Sequence, residues 1–208
     1  MSEGTTALIL VDIQHDFMPD GALPVPEGDA VVPVANRLMR GSGGGGGYGL
    51  VVASQDWHPA DHGSFASQHD GKQPGDEIEL HGLSQTLWPD HCVQGTPGAA
   101  LHSALELDRL DLLVRKGSDP AVDSYSASFD NGRRHDTGLA DRLRAHGVTA
   151  VDLVGLATNV CVLATALDAA DLGFDTRVLA EGVRGVDLQP GDVDAAWQKM
   201  REAGVKVG

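Results

Sequence analysis

Short apolar runs alternate along this chain with longer segments in which apolar residues recur every three to four positions. The short runs have the length and the continuous apolar character of strands that are covered on both faces. We predict strands at residues 7–11, 50–54, 112–115, 150–154 and 174–179, and an edge strand at 205–207. The longer segments are typical of helices with one apolar face. We predict these helices at residues 29–39, 99–105, 139–146, about 159–173 and 190–203.

Strands that alternate with helices pair in parallel through right-handed crossovers. The pattern therefore predicts a Rossmann-like, three-layer α/β/α sandwich with a mostly parallel sheet of about six strands, in one domain over residues 1–208. The glycine run within 41–49 is expected to be a flexible surface connector. A phosphate-binding loop is not favoured there, because no strand leads into the run and no Lys-Ser or Lys-Thr pair follows it.

Composition narrows the classes of partner. The chain has 208 residues, with 15 Lys and Arg against 30 Asp and Glu, and its formal charge of −15 argues against nucleic acid or an anionic membrane as a partner. Two cysteines form no disulfide framework, and no N-terminal apolar segment resembles a signal peptide or a membrane span. We expect a cytoplasmic protein that acts on a small molecule.

Chemically useful side chains follow four of the predicted strands. Asp12 follows the first, Asp56 and His58 the second, Lys116 the third, and Cys161 the fourth. Because ligands in open parallel sheets bind beyond the carboxyl ends of the strands, we expect these residues to converge on one edge. Taken singly, each has an ordinary alternative role: a turn aspartate, a surface lysine, a buried packing cysteine. Their convergence favours a catalytic site.

Cys161 has the features of a nucleophile. A cap by Thr158 or Asn159 would place it in the first turn of a helix, where free N–H groups favour a thiolate. If the first and fourth strands are neighbours, Asp12 can take the thiol proton, and Lys116 can hold Asp12 and stabilise the thiolate. Backbone N–H groups of the turn at 157–161 can then stabilise an oxyanion. The residues predict acyl transfer through a thioester.

A second group of residues has the chemistry of a metal site. Five of the nine histidines fall between positions 58 and 91. Asp56 and His58 project to the same side of an extended segment, and His91 would complete a two-histidine, one-carboxylate set that suits zinc, iron(II) or manganese. His62 is a candidate further ligand or a partner of the ligands. Cys92 could be a soft ligand, but a small packing residue is the favoured interpretation.

Longer motifs carry a family resemblance. Residues 7–17 (ALILVDIQHDF), 56–66 (DWHPADHGSFA) and 88–96 (WPDHCVQGT) resemble the nicotinamidase, or pyrazinamidase, family of isochorismatase-like cysteine hydrolases. The resemblance implies a catalytic triad of Asp12, Lys116 and Cys161, metal ligands Asp56, His58 and His91, and an oxyanion hole from the N–H groups of Ala157 and Cys161. It also implies aromatic walls from Phe17, Trp88 and Tyr125, and a cis peptide bond between Ala157 and Thr158.

The same resemblance implies an activity. Nicotinamide, and pyrazinamide as well, would be hydrolysed to the acid and ammonia, in NAD salvage, by one divalent metal ion that anchors the pyridine nitrogen and a cysteine that forms the thioester. Zinc is the first choice of metal, with iron and manganese as alternatives, and homo-oligomers are expected. Two departures stand out: Asn159 occupies a position where many relatives carry Asp, and the glycine run is unusual.

Other functions fit part of these residues. A metal-free amidase of the same superfamily would act on a carbamoyl or ureido group, but the predicted metal ligands argue against it. Isochorismatase proper does not need the cysteine. A metal-hydroxide hydrolase would keep Cys161 only as a structural residue, and a catalytically silent protein would merely bind a metal or a pyridine. Cys161→Ala separates the metal-hydroxide hydrolase, which would keep its activity, from cysteine catalysis, which would lose it.

Overall fold

The computed structural model describes residues 5–41 and 47–208. Most of the predicted glycine-rich connector at 41–49 lies outside the described residues, since 42–46 are not among them. Within the described part, no helix is long and apolar enough to cross a membrane.

A parallel sheet of six strands forms the centre of the protein, as the sequence predicts. The strands of the described residues are β1 (Thr5–Val11), β2 (Leu50–Asp56), β3 (Glu77–Leu80), β4 (Leu83–Thr86), β5 (Leu112–Lys116), β6 (Val148–Leu156), β7 (Asp175–Arg184) and β8 (Lys206–Val207). Their order in the main sheet is β5-β2-β1-β6-β7-β8, and every pairing is parallel. The strand order reverses between β1 and β6, which is where such sheets bind ligands.

Helices cover both faces of the sheet, which confirms the three-layer prediction. They are α1 (Val31–Arg40), α2 (Leu139–Ala145), α3 (Leu163–Asp171) and α4 (Asp192–Glu202). Alternate side chains of β1 enter two separate apolar cores, with Ile9 in one and Leu8 in the other. Ala35 of α1 packs in the core of Leu8, while α2, α3 and α4 pack in the core of Ile9.

A glycine brings the ends of the two central strands together. Val11 of β1 pairs with Gly155 of β6. Gly155 has a φ of +122°, and a Cβ atom there would lie 2.0 Å from the carbonyl oxygen of Val11. Only glycine permits both this backbone conformation and this approach. The segments that follow β1 and β6 therefore start side by side.

Two predictions in the connecting segments are wrong. The predicted helix at 99–105 is a series of turns, because its backbone groups bond to the segment after β1: His102 N–H donates to the Ile13 carbonyl at 2.8 Å. The long irregular segment at 57–97 contains the hairpin β3–β4, whose turn places His81 and Gly82 at φ values of +48° and +86°. Neither strand of this hairpin is apolar enough to stand out in the sequence.

Candidate active site

Four predicted residues meet at the carboxyl ends of adjacent strands. Asp12 directly follows β1, and Cys161 lies in a π-helical turn, Thr158–Val162, after β6. Asp56 and Lys116 are the last residues of β2 and β5, not residues that follow them, and they pair directly across the sheet. Each strand is one or two residues longer than predicted here, because buried polar partners satisfy these charged side chains.

Lys116 is the centre of the first group of residues. Its Nζ atom lies 2.9 Å from Asp12 Oδ2, 2.6 Å from Asp56 Oδ1 and 3.5 Å from Cys161 Sγ. The ammonium also donates to the Ser124 carbonyl at 2.7 Å, and its side chain has no exposed surface. Burial alone lowers the pKa of Lys116, but the charges of Asp12 and Asp56 outweigh it and hold that pKa well above its usual range. Asp12, Lys116 and Cys161 are called the thiol cluster below.

Asp12 is held in an unusual conformation by Ser54. The residue has a φ of +48°, which is uncommon outside glycine. Ser54 Oγ accepts the Asp12 N–H at 3.2 Å and donates to Asp12 Oδ1 at 2.6 Å. Burial raises the pKa of Asp12 above that of an ordinary aspartate, although the Lys116 charge opposes the shift. The second carboxylate oxygen, Oδ2, forms an ion pair with Lys116 Nζ at 2.9 Å and lies beside the Cys161 thiol, whose proton it can accept.

Cys161 rests as a thiol. Its side chain is buried, and burial raises the pKa of the thiol well above its usual range, while the positive charge of Lys116 offsets only part of this shift. Asp12 adds to the shift and lies close enough to interact with the thiol directly. A thiol of this kind reacts as a nucleophile only when a neighbouring base removes its proton. Within the cluster, Asp12 is the carboxylate whose position beside the thiol suits that role.

The predicted helix cap at this turn is wrong. Ala157 is the N-cap residue, and no side chain caps the turn. The Asn159 side chain instead bonds to the backbone of Val186. The expected cis bond also lies one residue earlier, between Leu156 and Ala157. Ala157 and Cys161, whose N–H groups were predicted to form the oxyanion hole, both line the cavity described below.

Asp56, His58 and His91 form the second group, called the ligand cluster. All three are buried, and one potential ligand atom of each lies within 4.8 Å of the others. Nδ1 of His58 faces the Gly117 carbonyl and Nδ1 of His91 faces the Pro89 carbonyl, each at 2.8 Å. A carbonyl only accepts, so both Nδ1 atoms carry the proton and both Nε2 lone pairs are free. This is the tautomer that binds a divalent metal ion, and the residues present fit one.

Charge favours the metal-binding forms of two members of the ligand cluster, Asp56 and His91; at His58 burial lowers the pKa, but the charge of Asp56 outweighs it and raises that pKa. Burial favours a neutral Asp56, but Lys116 and His58 hold the pKa of this carboxyl below its usual range. Burial lowers the pKa of His91, and the nearby His58 lowers it further. A deprotonated carboxylate and a neutral imidazole are the forms that coordinate metal.

His62 lies beside the ligand cluster but differs from it. Its ring centre is 4.3 Å from that of His58, and with His58 and Asp123 it makes an alternative ligand set. Its Nδ1 accepts the Ser64 N–H at 3.2 Å, so the proton belongs on Nε2, where a ligand would need a lone pair. Burial and His58 lower the pKa of His62 to about 4. This bonding favours the role of a neighbour over that of a ligand.

One cavity joins the two clusters. Asp56 and Cys161 reach it from the carboxyl ends of β2 and β6, and His91 reaches it from the segment after β4. The predicted aromatic residues line it: Phe17, Trp88 and Tyr125. The Tyr125 hydroxyl accepts hydrogen bonds from Trp88 Nε1 and from Gln85 Nε2, each at 3.2 Å. An apolar cavity with a few polar groups is typical of a site for a small ligand.

Sequence reasoning missed several residues of the site. Asp123, Val186 and Leu188 line the cavity, Gln85 donates to Tyr125, which lines it, and Ser54 bonds to Asp12 of the thiol cluster. Ser54 had a signal, since it is a polar residue in an apolar buried strand and shares a face with Asp56. Cys92 agrees with its prediction as a packing residue: it is fully buried, and its N–H donates to Asp16 Oδ2 at 2.7 Å.

Comparisons with known proteins identify relatives over nearly the whole chain. The family model for the isochorismatase domain matches residues 6–208. A nicotinamidase of Escherichia coli is 52% identical over 198 residues, which cover 95% of this chain and 92% of that protein. A solved nicotinamidase and pyrazinamidase of Acinetobacter baumanii superposes with a TM-score of 0.92 at 42% identity, over 100% of this chain and 97% of the other. A pyrazinamidase of Pyrococcus horikoshii, solved in complex with zinc, gives 0.78 at 39% identity and covers 98% of each chain.

Proposed function

Because this chain belongs to the isochorismatase family, we propose that it is a nicotinamidase, which hydrolyses nicotinamide, and pyrazinamide as well, to the carboxylic acid and ammonia in NAD salvage. The observation that carries the proposal is the single cavity into which the thiol cluster and the ligand cluster both open between aromatic walls. The E. coli nicotinamidase, at 52% identity, supports the choice of substrate.

The thiol cluster supplies the covalent chemistry. Cys161 Sγ attacks the carboxamide carbon as Asp12 Oδ2 takes the thiol proton, so the negative charge passes from Asp12 through sulfur to the carboxamide oxygen, and the Lys116 ammonium stabilises the developing thiolate. The tetrahedral adduct then expels ammonia, to which Asp12 returns the proton, and an acyl thioester remains on Cys161. Asp12 next deprotonates a water molecule that attacks the thioester, which releases the acid and restores the thiol.

The backbone of the turn stabilises the adduct. As the carboxamide carbon becomes tetrahedral, its oxygen gains negative charge, and we assign the N–H groups of Ala157 and Cys161 as the donors to it. Both residues line the cavity, which supports this assignment. Phe17, Trp88 and Tyr125 sandwich the ring and exclude water from the reacting carbon.

The ligand cluster would hold one divalent metal ion through Asp56, His58 and His91. Zinc is proposed first because two imidazoles and a carboxylate suit it and because the P. horikoshii relative contains it, with iron or manganese as alternatives. When bound, such an ion would supply a Lewis acid for the lone pair of a pyridine nitrogen, which would help to hold the carboxamide before the Cys161 thiol. His62 stays a candidate further ligand.

A glycine substitution tests this metal site without a turnover assay. A Cβ at Gly117 would lie 2.4 Å from His58 Cε1, at a φ of +64°. Gly117→Ala should therefore move the imidazole and lower zinc affinity by about 10- to 100-fold, measured by competition with a chromogenic chelator. Gly138→Ala is the matched control, because its φ is +77° and nothing lies within 4 Å. Equal affinities in the two variants would contradict the assignment of His58.

Ammonia release tests the function directly. Purified protein with zinc should release ammonia from nicotinamide, whereas Cys161→Ala and the chelator-treated protein should release none above background. Activity that survives Cys161→Ala would move the chemistry to the ligand cluster, as in a metal-hydroxide hydrolase. A wild-type protein that turns over ureido compounds but not nicotinamide would instead be a related amidase.

A reducing, cytoplasmic setting is proposed with this mechanism. Both cysteines are free and buried, and Cys161 must stay reduced to act as a nucleophile. Self-association stays an expectation from the family resemblance.

A further inference from the structure

We propose that Asn159 is a positioning residue that fixes the outer wall of the cavity and thereby sets which ring substituents the enzyme accepts. The inference rests on the proposed function. Asn159 lies in the same turn as Cys161, two residues before it. Its Nδ2 donates to the Val186 carbonyl at 2.8 Å, and its Oδ1 accepts the Val186 N–H at 3.1 Å. One side-chain amide thus satisfies both backbone groups of a residue 27 positions away.

Val186 belongs to residues 185–191, which close one side of the cavity and are called the outer-wall segment below. Val186 and Leu188 line the cavity together with Cys161. Leu188 is 52% exposed, so packing alone does not hold this apolar side chain at the cavity edge. A Cβ at Gly185 would lie 3.0 Å from Asn159 Oδ1 and 3.1 Å from Thr158 Cβ. The outer-wall segment therefore rests directly on the turn that carries the nucleophile.

The other side-chain bonds of the outer-wall segment lead away from the cavity. Asp187 Oδ1 accepts the Val193 N–H at 2.9 Å, and Asp192 Oδ2 accepts the Gln189 N–H at 2.8 Å, which fasten the segment to the start of α4. Across the described part of the chain, Asn159 provides the side-chain hydrogen bonds that fasten the segment to the turn.

The chemistry of the contact requires an amide. Val186 offers one acceptor and one donor, and the Asn159 side chain offers one donor and one acceptor in return. An aspartate would still accept the N–H, but its second oxygen would face the carbonyl of Val186 and repel it. Asn159→Asp therefore removes one of two hydrogen bonds at nearly constant volume, and it should loosen the segment without displacing the thiol cluster.

The outer-wall segment is expected to affect substrate binding, measured by KM, more than the chemical step, measured by kcat. A ring substituent that points toward Val186 or Leu188 meets a fixed wall when Asn159 holds the segment, and a yielding wall when it does not. We expect Asn159→Asp to raise the KM for nicotinamide by about 5- to 10-fold, the equivalent of one hydrogen bond. The kcat should stay within about twofold. The preference for nicotinamide over 5-methylnicotinamide in kcat/KM should fall.

Asn36 supplies a matched control. Its Nδ2 donates to the Ala104 carbonyl at 2.8 Å and its Oδ1 accepts the Glu106 N–H at 3.0 Å, which is the same kind of pairing away from the cavity. Asn36→Asp should lose as much stability as Asn159→Asp but keep the wild-type KM and preference. Ammonia release with both substrates and thermal unfolding of both variants make the comparison.

Several outcomes overturn the inference. A folded Asn159→Asp with unchanged KM and preference would do so, as would a fall in kcat at constant KM, which would place the effect on the nucleophile. Should the variant not fold, hydrogen exchange of the wild type decides: added nicotinate must slow exchange at 185–191, and unchanged exchange refutes the wall. If wild-type protein does not turn over nicotinamide, the proposed function and this inference are both refuted. If wild type is active and Asn159→Asp has the same KM and preference as wild type, this inference alone is refuted.

Discussion

Two buried aspartates on neighbouring elements of the sheet each face a cation, yet their surroundings differ. Asp152, on β6, accepts hydrogen bonds from Arg177 Nε at 2.8 Å and from the Tyr48 hydroxyl at 2.7 Å, and Arg177 also bonds to its second oxygen. The Arg177 side chain is 49% exposed. Asp12 instead faces Lys116, which has no exposed surface and whose Nζ lies 2.9 Å from Asp12 Oδ2, and the Cys161 thiol lies beside the same carboxylate.

This difference separates a stabilising ion pair from a reactive one. Both carboxylate oxygens of Asp152 accept hydrogen bonds, and water still solvates the Arg177 guanidinium. This carboxylate is therefore not placed to take a proton from a neighbouring group. Around Asp12, a thiol lies beside the carboxylate, and the cation that balances its charge is sealed from water. A buried carboxylate next to a proton donor is what a general base requires. Residue types alone would not distinguish the two pairs.

The largest expected effect comes from removing each carboxylate in turn. Asp12→Asn should lower kcat for nicotinamide by about 10³-fold, because the amide cannot accept the thiol proton. Asp152→Asn should leave kcat within about twofold and lower the free energy of unfolding by about 1 to 3 kcal/mol. Ammonia release and urea denaturation measure the two quantities. Similar losses of activity in both variants would contradict the assignment of different roles to Asp12 and Asp152.

A smaller effect is expected from the hydroxyl that orients Asp12. Ser54→Ala removes both hydrogen bonds between Ser54 and Asp12. We expect kcat to fall by about 10- to 100-fold with little change in KM, because Ser54 then no longer holds the Asp12 carboxylate in its position beside the thiol. Ser54→Thr retains the hydroxyl and should restore most of the rate. A fully active Ser54→Ala would mean that Lys116 alone positions the base.

The pH profile sharpens the same contrast. Asp12 accepts a proton only when it is ionised, and burial raises its pKa above the usual 3.8. As pH falls through this raised pKa, kcat/KM should decline about tenfold per unit. Asp152→Asn should show the same acid limb as wild type, since Asp152 takes no part in the reaction. Circular dichroism at each pH separates titration from unfolding, and a limb at or below 3.8 would contradict the raised pKa.

The smallest effect on stability is expected from a substitution beside the ion pair of Asp152 and Arg177. Tyr48→Phe removes one hydrogen bond to Asp152 and leaves those from Arg177. The free energy of unfolding should fall by about 1 kcal/mol, with kcat and KM unchanged. Urea denaturation beside a steady-state assay measures both. A drop in kcat at unchanged stability would show that the two regions are coupled.

Much of the fold was predictable because its strands are continuous apolar runs with polar residues at their carboxyl ends. Those runs predicted the main sheet, and the topology of parallel sheets then predicted that Asp12, Lys116 and Cys161 would meet. The exact strand ends were not predictable, because Asp56 and Lys116 extend the ladder only when their side chains pair. The hairpin β3–β4 was missed because few of its residues are buried.

Polar contacts between residues far apart in the sequence were harder to predict than the strands. Ser54 and Asp12 are 42 positions apart, and Asn159 and Val186 are 27 apart. The predicted cap failed for this reason: Asn159 has the right chemistry for a local cap, but a distant backbone uses both ends of its amide. Local pattern predicts which residues can bond, and the packed fold decides which of them do.

The order of the strands also affects how activity is acquired during folding. Asp12, Lys116 and Cys161 lie at the carboxyl ends of β1, β5 and β6, so the chain must bring together residues about 150 positions apart before the first proton can move. No fragment that ends before β6 can contain the nucleophile beside its base. Recovery of ammonia release after dilution from urea should therefore coincide with the last phase seen by tryptophan fluorescence, which makes enzymatic activity a stringent reporter of the native population.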